Sequence, residues 1–154
     1  MEVKNTQPEA FGKWLKENRS LHDAILFEFA FSNKQDEGGV PSSENVLKLG
    51  LKIPVDQSTD EYDVVWVVLR GVLSVRIMMQ YSLGAQYFLN AIYLTNAEIE
   101  DGGVSIGNNA NVFRLKLYGD CYSEHEQEWN ERKILDVRCE SFEILRDSID
   151  FTRE

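Results

Sequence analysis

A chain of 154 residues, 43% of them hydrophobic, is long and apolar enough to bury the core of one folded domain. Its formal net charge of −10 argues against nucleic acid as a partner, because binding to phosphates requires a basic surface. The polar N-terminal segment does not predict a signal peptide, and the longest apolar run, residues 64–69, is too short to cross a bilayer. We therefore expect a single cytoplasmic domain over residues 1–154 with no membrane partner.

The first predicted element is a short helix over residues 8–18. Pro8 suits the first turn of a helix, where its missing N–H group costs nothing. Phe11, Trp14 and Leu15 recur at helical spacing and form one apolar face. Because a helix this short is unstable alone, we expect this face to pack against the rest of the chain.

From Ala24 onward the apolar residues alternate with a period of two, which indicates β-strands. In the first predicted strand, Ile25, Phe27, Phe29 and Phe31 share one face. Further strands are predicted within residues 47–53, 62–72, 73–79, 86–99, 113–117 and 135–139. The nearly continuous apolar run 62–72 is typical of a central strand that is covered on both faces.

These strands follow one another through loops of hairpin length, and no helices alternate with them. The sequence therefore predicts an α+β, mainly β, fold. In it a short N-terminal helix packs on a mostly antiparallel sheet of six to seven strands, or on a small sandwich. Residues 146–154 are expected to form a frayed tail.

The pair His22-Asp23 is a candidate catalytic or metal-binding dyad. His125 is the one other histidine in the sequence, which leaves too few ligands for a metal-dependent phosphohydrolase of the His-Asp type. In the structural alternative, His22 caps backbone groups and Asp23 accepts hydrogen bonds from loop N–H groups. We expect this structural role, with no metal and no cofactor. An enzyme or metal-dependent module that uses His22 and Asp23, with or without His125, is kept as the alternative.

A second candidate site is the acidic segment "SEHEQEW". It is not an HExxH zinc motif, because Trp129 stands where the second histidine is needed. Between residues 120 and 131 every charged residue is acidic; these are Asp120, Glu124, Glu126, Glu128 and Glu131. An aromatic ring within an acidic loop suits a protein interface, although a packing role for Trp129 is equally compatible with the sequence. The predicted partner-binding residues are Glu124, Glu126, Glu128 and Trp129.

Cys139 lies in an alternating strand on the same face as Val137, which predicts a thiol in the core rather than a nucleophile. The sequence contains no Gly-rich phosphate loop, no nucleophile elbow and no CxxC pair. We therefore predict no catalytic residues.

The helix with Trp14 is followed by "SLHDAILFEFAF", "VVLRGVLSVRI" and a terminal "ILDVRCESFEI". This order resembles small bacterial immunity proteins of polymorphic toxin systems, in particular the group named immunity protein fifty and related uncharacterised families. That group tends to show a His-Asp pair opening the first strand, a Gly-Val step in a middle strand and a cysteine in the last strand. The matching positions are His22-Asp23, Gly71-Val72 and Cys139, whereas "EDGGVSIGNNAN" and the acidic loop have no counterpart. The resemblance implies an inhibitor that neutralises a cognate toxin by binding, without catalytic residues.

Taken together, the sequence predicts a non-enzymatic protein-binding domain. The expected partner is a protein, such as a basic toxin domain, that meets the acidic surface. A self-associating structural domain, for example a homodimer, remains an alternative because strand faces with exposed apolar residues favour association.

Overall fold

The computed structural model of the protein describes residues 2–5, 8–35, 41–55, 61–78, 92–104, 111–123 and 126–147. Within these ranges there are one α-helix, one short 3-10 turn and nine strands. In chain order they are β1 Glu2–Asn5, α1 Pro8–Glu17, the 3-10 turn Arg19–Leu21, β2 Ile25–Gln35, β3 Pro41–Pro54, β4 Tyr62–Arg70, β5 Ser74–Ile77, β6 Ile92–Val104, β7 Asn111–Ser123, β8 Glu128–Cys139 and β9 Ser141–Asp147. None of the helices in these ranges combines the length and the apolar character that crossing a membrane requires.

The strands form one sheet in the order β1-β9-β4-β3-β2-β6-β7-β8-β5, and every neighbouring pair is antiparallel. We call β1, β9, β4, β3 and β2 the first half of the sheet, and β6, β7, β8 and β5 the second half. The halves are joined where β2 pairs with β6, through Ile25 opposite Tyr93 and Leu26 opposite Ile92. The backbone link between the halves is therefore short.

The sheet must curl, because β8 and β9 are adjacent in the chain and distant in the sheet. One residue, Glu140, separates them, although they lie six positions apart in the strand order. In a flat sheet six spacings of about 4.8 Å would separate them by about 29 Å. Two consecutive peptide units reach at most about 7.6 Å. The second half of the sheet is therefore folded back toward the first.

A second crossing, residues 71–73 between β4 and β5, runs beside the first. The Glu140 N–H donates to the Arg70 carbonyl at 3.0 Å, and the Leu73 N–H donates to the Arg138 carbonyl at 2.8 Å. Gly71 has a φ of +63°, a conformation that residues with a Cβ rarely adopt, and a Cβ there would lie 2.9 Å from Glu140. Backbone bonds thus fasten the two crossings to each other.

The core lies between the two halves, and the helix supplies its centre. Phe11 of α1 is fully buried, and its ring centroid lies 4.7 Å from that of Phe142 on β9 and 6.2 Å from that of Phe113 on β7. Phe113 and Phe142 also meet edge to face at 5.7 Å. Leu15, one turn after Phe11, is buried in the same cluster. Three aromatic rings therefore connect the helix to both halves of the sheet.

The prediction of a mainly β, antiparallel fold with one short N-terminal helix is confirmed. The nine strands exceed the predicted six to seven because β1 and β9 were not anticipated. β1 has the sequence "EVKN", which shows too little alternation to be recognised, and β9 begins one residue after β8, so no loop in the sequence separates the two strands. The segment "EDGGV", which follows the strand predicted within residues 86–99, is the end of β6. Arg146 and Asp147 belong to β9, and residues 148–154 lie outside the described part.

One expectation about sheet faces was wrong, and a second holds for only part of its strand. A bulge between Leu26 and Glu28 turns Phe27 to the outer face of the sheet, whereas Phe29 packs against the core. β4 is buried on its inner face, where Val65, Val67 and Leu69 are at most 1% exposed. On its outer face Val64 and Trp66 are half-buried, whereas Val68 is 6% exposed. The predicted cover on both faces therefore holds around Val68 and not along the whole strand.

We predict that Phe11→Ala lowers the free energy of unfolding by about 3–5 kcal/mol, because it removes the ring that touches both halves and leaves a cavity. Urea denaturation followed by circular dichroism measures the change. Lys13→Ala, on the exposed face of the same helix, is the control and should change stability by less than about 0.5 kcal/mol. A loss below about 1 kcal/mol for Phe11→Ala would show that the rings are not the central contact.

Candidate functional site

The acidic segment lies at the end of the β7–β8 hairpin, beyond the core. β6 pairs with β7 as far as Gly119, so the hairpin beyond that residue is a two-stranded extension in the described part of the chain. Trp129 is 52% exposed, so it is not a core residue. Glu126 and Glu128 are exposed as well, and Glu124 lies outside the described residues. The structure therefore places three of the four predicted partner-binding residues together on the surface.

Two further acidic residues belong to this surface. Asp120 and Glu131 are cross-strand partners, and both are exposed. Like charges that lie directly opposite each other destabilise a sheet. Glu131 lies two residues after Trp129 on the same strand, and residues at this spacing share a face. We call Asp120, Glu126, Glu128, Trp129 and Glu131 the acidic hairpin tip.

In the acidic hairpin tip, Asp120, Glu128 and Glu131 form no salt bridge with another residue that the structure describes. The amide of Asn130 donates to Glu126 at 2.8 Å and positions that carboxylate. Lys133, the next residue on the face of Trp129 and Glu131, lies 3.1 Å from Asp136, toward the core. Chemically, the tip offers carboxylate acceptors around an exposed indole ring. This arrangement can receive a basic surface.

The pair His22-Asp23 lies between the 3-10 turn and β2. The structural alternative holds in part, because His22 bonds a backbone group as predicted, whereas the contact of Asp23 is made by its backbone N–H as a donor. The Nδ1 of His22 donates to the Thr95 carbonyl at 3.1 Å, since a carbonyl can only accept. The Asp23 N–H donates to the Leu94 carbonyl at 2.9 Å, and the Leu94 N–H donates to the Ala24 carbonyl at 2.8 Å. The pair thus extends the short backbone link between β2 and β6.

The side chains of His22 and Asp23 are more than half exposed, with 3.7 Å between Nε2 and Oδ2. His125, the second histidine of the proposed metal site, lies outside the described residues. Among the residues that the structure describes, no three His, Cys, Asp or Glu side chains converge in a way that could hold a metal ion.

The turn before this pair has an unusual backbone that sequence reasoning missed. Arg19, Ser20 and Leu21 have φ values of 57°, 53° and 61°, a left-handed conformation that non-glycine residues rarely adopt. Leu21 is 2% exposed and belongs to the core. Burial of the Leu21 side chain offsets the backbone strain of the turn and determines the position of His22, the next residue.

Buried charge occurs elsewhere on the second half of the sheet. Asp136 of β8 is 5% exposed and accepts hydrogen bonds from Arg114 Nε at 2.7 Å and from Lys133 at 3.1 Å. The Arg114 guanidinium contacts both carboxylate oxygens, and these bonds hold the pKa of Asp136 at about 2 although burial opposes the shift. The same contact raises the pKa of Arg114 above its usual range. Both oxygens of Asp136 are occupied, so the cluster fixes the strands rather than performing chemistry.

Cys139 is the core thiol that the sequence predicts. Its side chain is fully buried, and burial raises the pKa of the thiol well above its usual range. A thiol that stays protonated is a poor nucleophile. Cys139 therefore contributes to packing on the inner face of β8.

No protein-family model matches this sequence, and no match was found among curated proteins or solved structures. The resemblance to immunity proteins therefore stays a prediction that depends on the stretches quoted above. Function has to be inferred from the surfaces themselves.

We predict that His22→Ala lowers the free energy of unfolding by about 1 kcal/mol, since it removes the hydrogen bond to Thr95 at the link between the halves. His22→Asn, whose amide can donate to the same carbonyl, should recover part of the loss. Thermal unfolding measures both changes. An unchanged melting temperature for His22→Ala would exclude the structural role.

The pKa of Asp136 predicts a specific acid sensitivity. Its folded-state pKa of about 2 lies below the ordinary value of 3.8, so the stabilising contribution is complete above pH 4 and is lost as the pH falls to about 2. The pKa of the Asp136 carboxyl in the folded state is thus nearly two units below its ordinary value, which corresponds to about 2 kcal/mol of stability. Between pH 5 and pH 2 the wild type should lose about 2 kcal/mol more than Asp136→Asn in urea denaturation. Parallel pH profiles for the two proteins would contradict the assignment.

Proposed function

We propose that this chain is a non-enzymatic, cytoplasmic protein-binding domain that acts as an immunity-type inhibitor of a bacterial toxin. The observation that carries the proposal is the acidic hairpin tip, where the exposed ring of Trp129 lies beside the opposed carboxylates of Asp120 and Glu131. A cross-strand pair of like charges costs stability, and a basic partner would relieve that cost.

The shape of the hairpin suits inhibition by occlusion. Along β8 the residues from Glu128 to Lys133 are exposed or half-buried, whereas Ile134 to Val137 are buried. The tip is therefore a narrow extension that can enter a cleft while the core stays intact. The net charge of −10 would steer a basic toxin toward the domain, and the Trp129 ring would serve as the anchor of the interface.

A self-associating structural domain is the second candidate. Phe31, Leu73 and Ile77 are 52%, 46% and 47% exposed, and they line a groove of about 440 Å³ between β2, β3 and β5. Exposed apolar side chains in this number favour association. Sedimentation equilibrium separates the two candidates, because the inhibitor requires a foreign partner and the structural domain requires a second copy.

The proposal predicts that the wild-type chain binds the protein encoded immediately upstream of it and protects cells from that protein. Trp129→Ala should weaken binding about 30-fold, the effect of an interface anchor worth about 2 kcal/mol. The double variant Glu128→Gln/Glu131→Gln should slow association and reduce its dependence on salt. Surface plasmon resonance measures both effects.

The matched control is Glu17→Gln/Glu61→Gln, which removes two exposed carboxylates away from the hairpin and should bind like the wild type. Failure of the wild type to bind or to protect would remove the proposal. Wild-type affinity of both hairpin variants would remove the acidic hairpin tip as the contact.

A further inference from the structure

The outer face of the first half carries a half-buried aromatic pair. Phe27 of β2 and Trp66 of β4 meet edge to face, with ring centroids 5.3 Å apart, above Gly50 of the strand between them. A Cβ at Gly50 would lie 2.7 Å from the Trp66 ring and 2.8 Å from the Phe27 ring. The absent side chain therefore lets both rings rest against the backbone of β3.

Two lysines flank this aromatic pair. The Nζ of Lys48 lies 4.2 Å from the centroid of the Trp66 ring, and the Nζ of Lys52 lies 5.6 Å from the centroid of the Phe27 ring. Both lysines are exposed, and neither forms an ion pair with any residue that the structure describes. We call Phe27, Lys48, Gly50, Lys52 and Trp66 the lysine–aromatic face.

The spacing of the lysine–aromatic face is that of an extended chain. Lys48, Gly50 and Lys52 occupy alternate positions of one strand and share its outer face. The two lysines are four residues apart, which corresponds to about 13 Å along a strand. In an extended peptide, residues i and i+4 are separated by the same distance of about 13 Å. If these two residues lie over the lysines, residue i+2 lies over the rings.

We propose that the lysine–aromatic face binds an extended acidic segment of a partner protein. The side chains of Lys48 and Lys52 turn from the rings toward two carboxylates of the segment, four residues apart. An apolar side chain midway between these carboxylates then packs on the rings of Phe27 and Trp66. The charges on this face favour an acidic partner. Its two ammonium groups have no carboxylate partner among the described residues, and the aromatic pair lies between them.

A nucleic acid suits this face less well than an acidic peptide. Its phosphates would meet two lysines on a chain with a net charge of −10, whereas nucleic-acid sites carry a basic stripe. Glu28, opposite Gly50 in the register, is exposed and adds a negative charge that repels a densely charged phosphate chain more strongly than a segment with two carboxylates. A segment with two carboxylates requires no more than the two lysines present.

The face is separate from the acidic hairpin tip. The hairpin belongs to the second half of the sheet and carries negative charge, whereas β2, β3 and β4 belong to the first half and present the two lysines. The inference therefore does not depend on the toxin-inhibitor proposal, and the same variants distinguish the two surfaces.

The test uses the full chain and a synthetic peptide, GETFTEG with blocked termini, that has the required spacing. Isothermal titration calorimetry should show binding that weakens as salt is raised. Lys48→Gln/Lys52→Gln should weaken it about tenfold or more, the effect of losing two charge-assisted contacts. Gly50→Ala, which displaces the rings and keeps both charges, should weaken it as well, and circular dichroism checks that both variants are folded.

The controls separate this face from general electrostatics. Lys13→Gln/Lys16→Gln, on the exposed side of the helix, and Glu128→Gln/Glu131→Gln, at the hairpin, should bind the peptide like the wild type. The neutral peptide GQTFTQG should bind about tenfold more weakly. Absence of peptide binding, equal binding of the neutral peptide, wild-type binding by Lys48→Gln/Lys52→Gln, or tighter binding of an oligothymidylate would each overturn the proposal.

Discussion

The packing of Phe11 against Phe113 and Phe142 is the contact on which the curled sheet depends. The backbone joins the two halves through two residue pairs between β2 and β6 and through the two short crossings. Such links set the direction of the chain but bury little apolar surface, and burial is the main force that holds layers together. The helix supplies that surface, because ten residues with one apolar face fit between the halves.

Because the core is filled from inside the curl, the acidic hairpin tip and the lysine–aromatic face both lie outside it. The hairpin tip extends from the second half of the sheet, and the lysine–aromatic face lies on the first. Between them, the ion pair of Arg114 with Asp136 holds β7 against β8 and supplies rigidity to the base of the hairpin. A rigid base lowers the entropy lost when a projecting element binds, which favours affinity.

The success of sequence reasoning followed the regularity of each strand. Alternation located β3, β7 and β8 because their residues face the core and the solvent in turn. It failed at Phe27, where a bulge inserts one residue and reverses the face, and it did not indicate that Asp136, between Leu135 and Val137, is buried. The alternation of apolar residues predicts neither the bulge at Phe27 nor the pairing of Asp136 with Arg114 on the neighbouring strand. The acidic hairpin tip was found in part, because an unbroken acidic run around Trp129 is visible without a fold, whereas Asp120 and Glu131 gained their meaning from the register.

The sequence by itself determined the class of the fold, the helix with its apolar face, the core position of Cys139 and the acidic character of one loop. These features depend on neighbouring residues, and composition and periodicity record them directly. The tertiary structure alone decided that the sheet curls, that a bulge turns Phe27 to the outer face, and that Lys48 and Lys52 lie over the rings of Trp66 and Phe27. The physical reason is that cross-strand register joins residues far apart in the chain, and no local pattern specifies which strands will become neighbours.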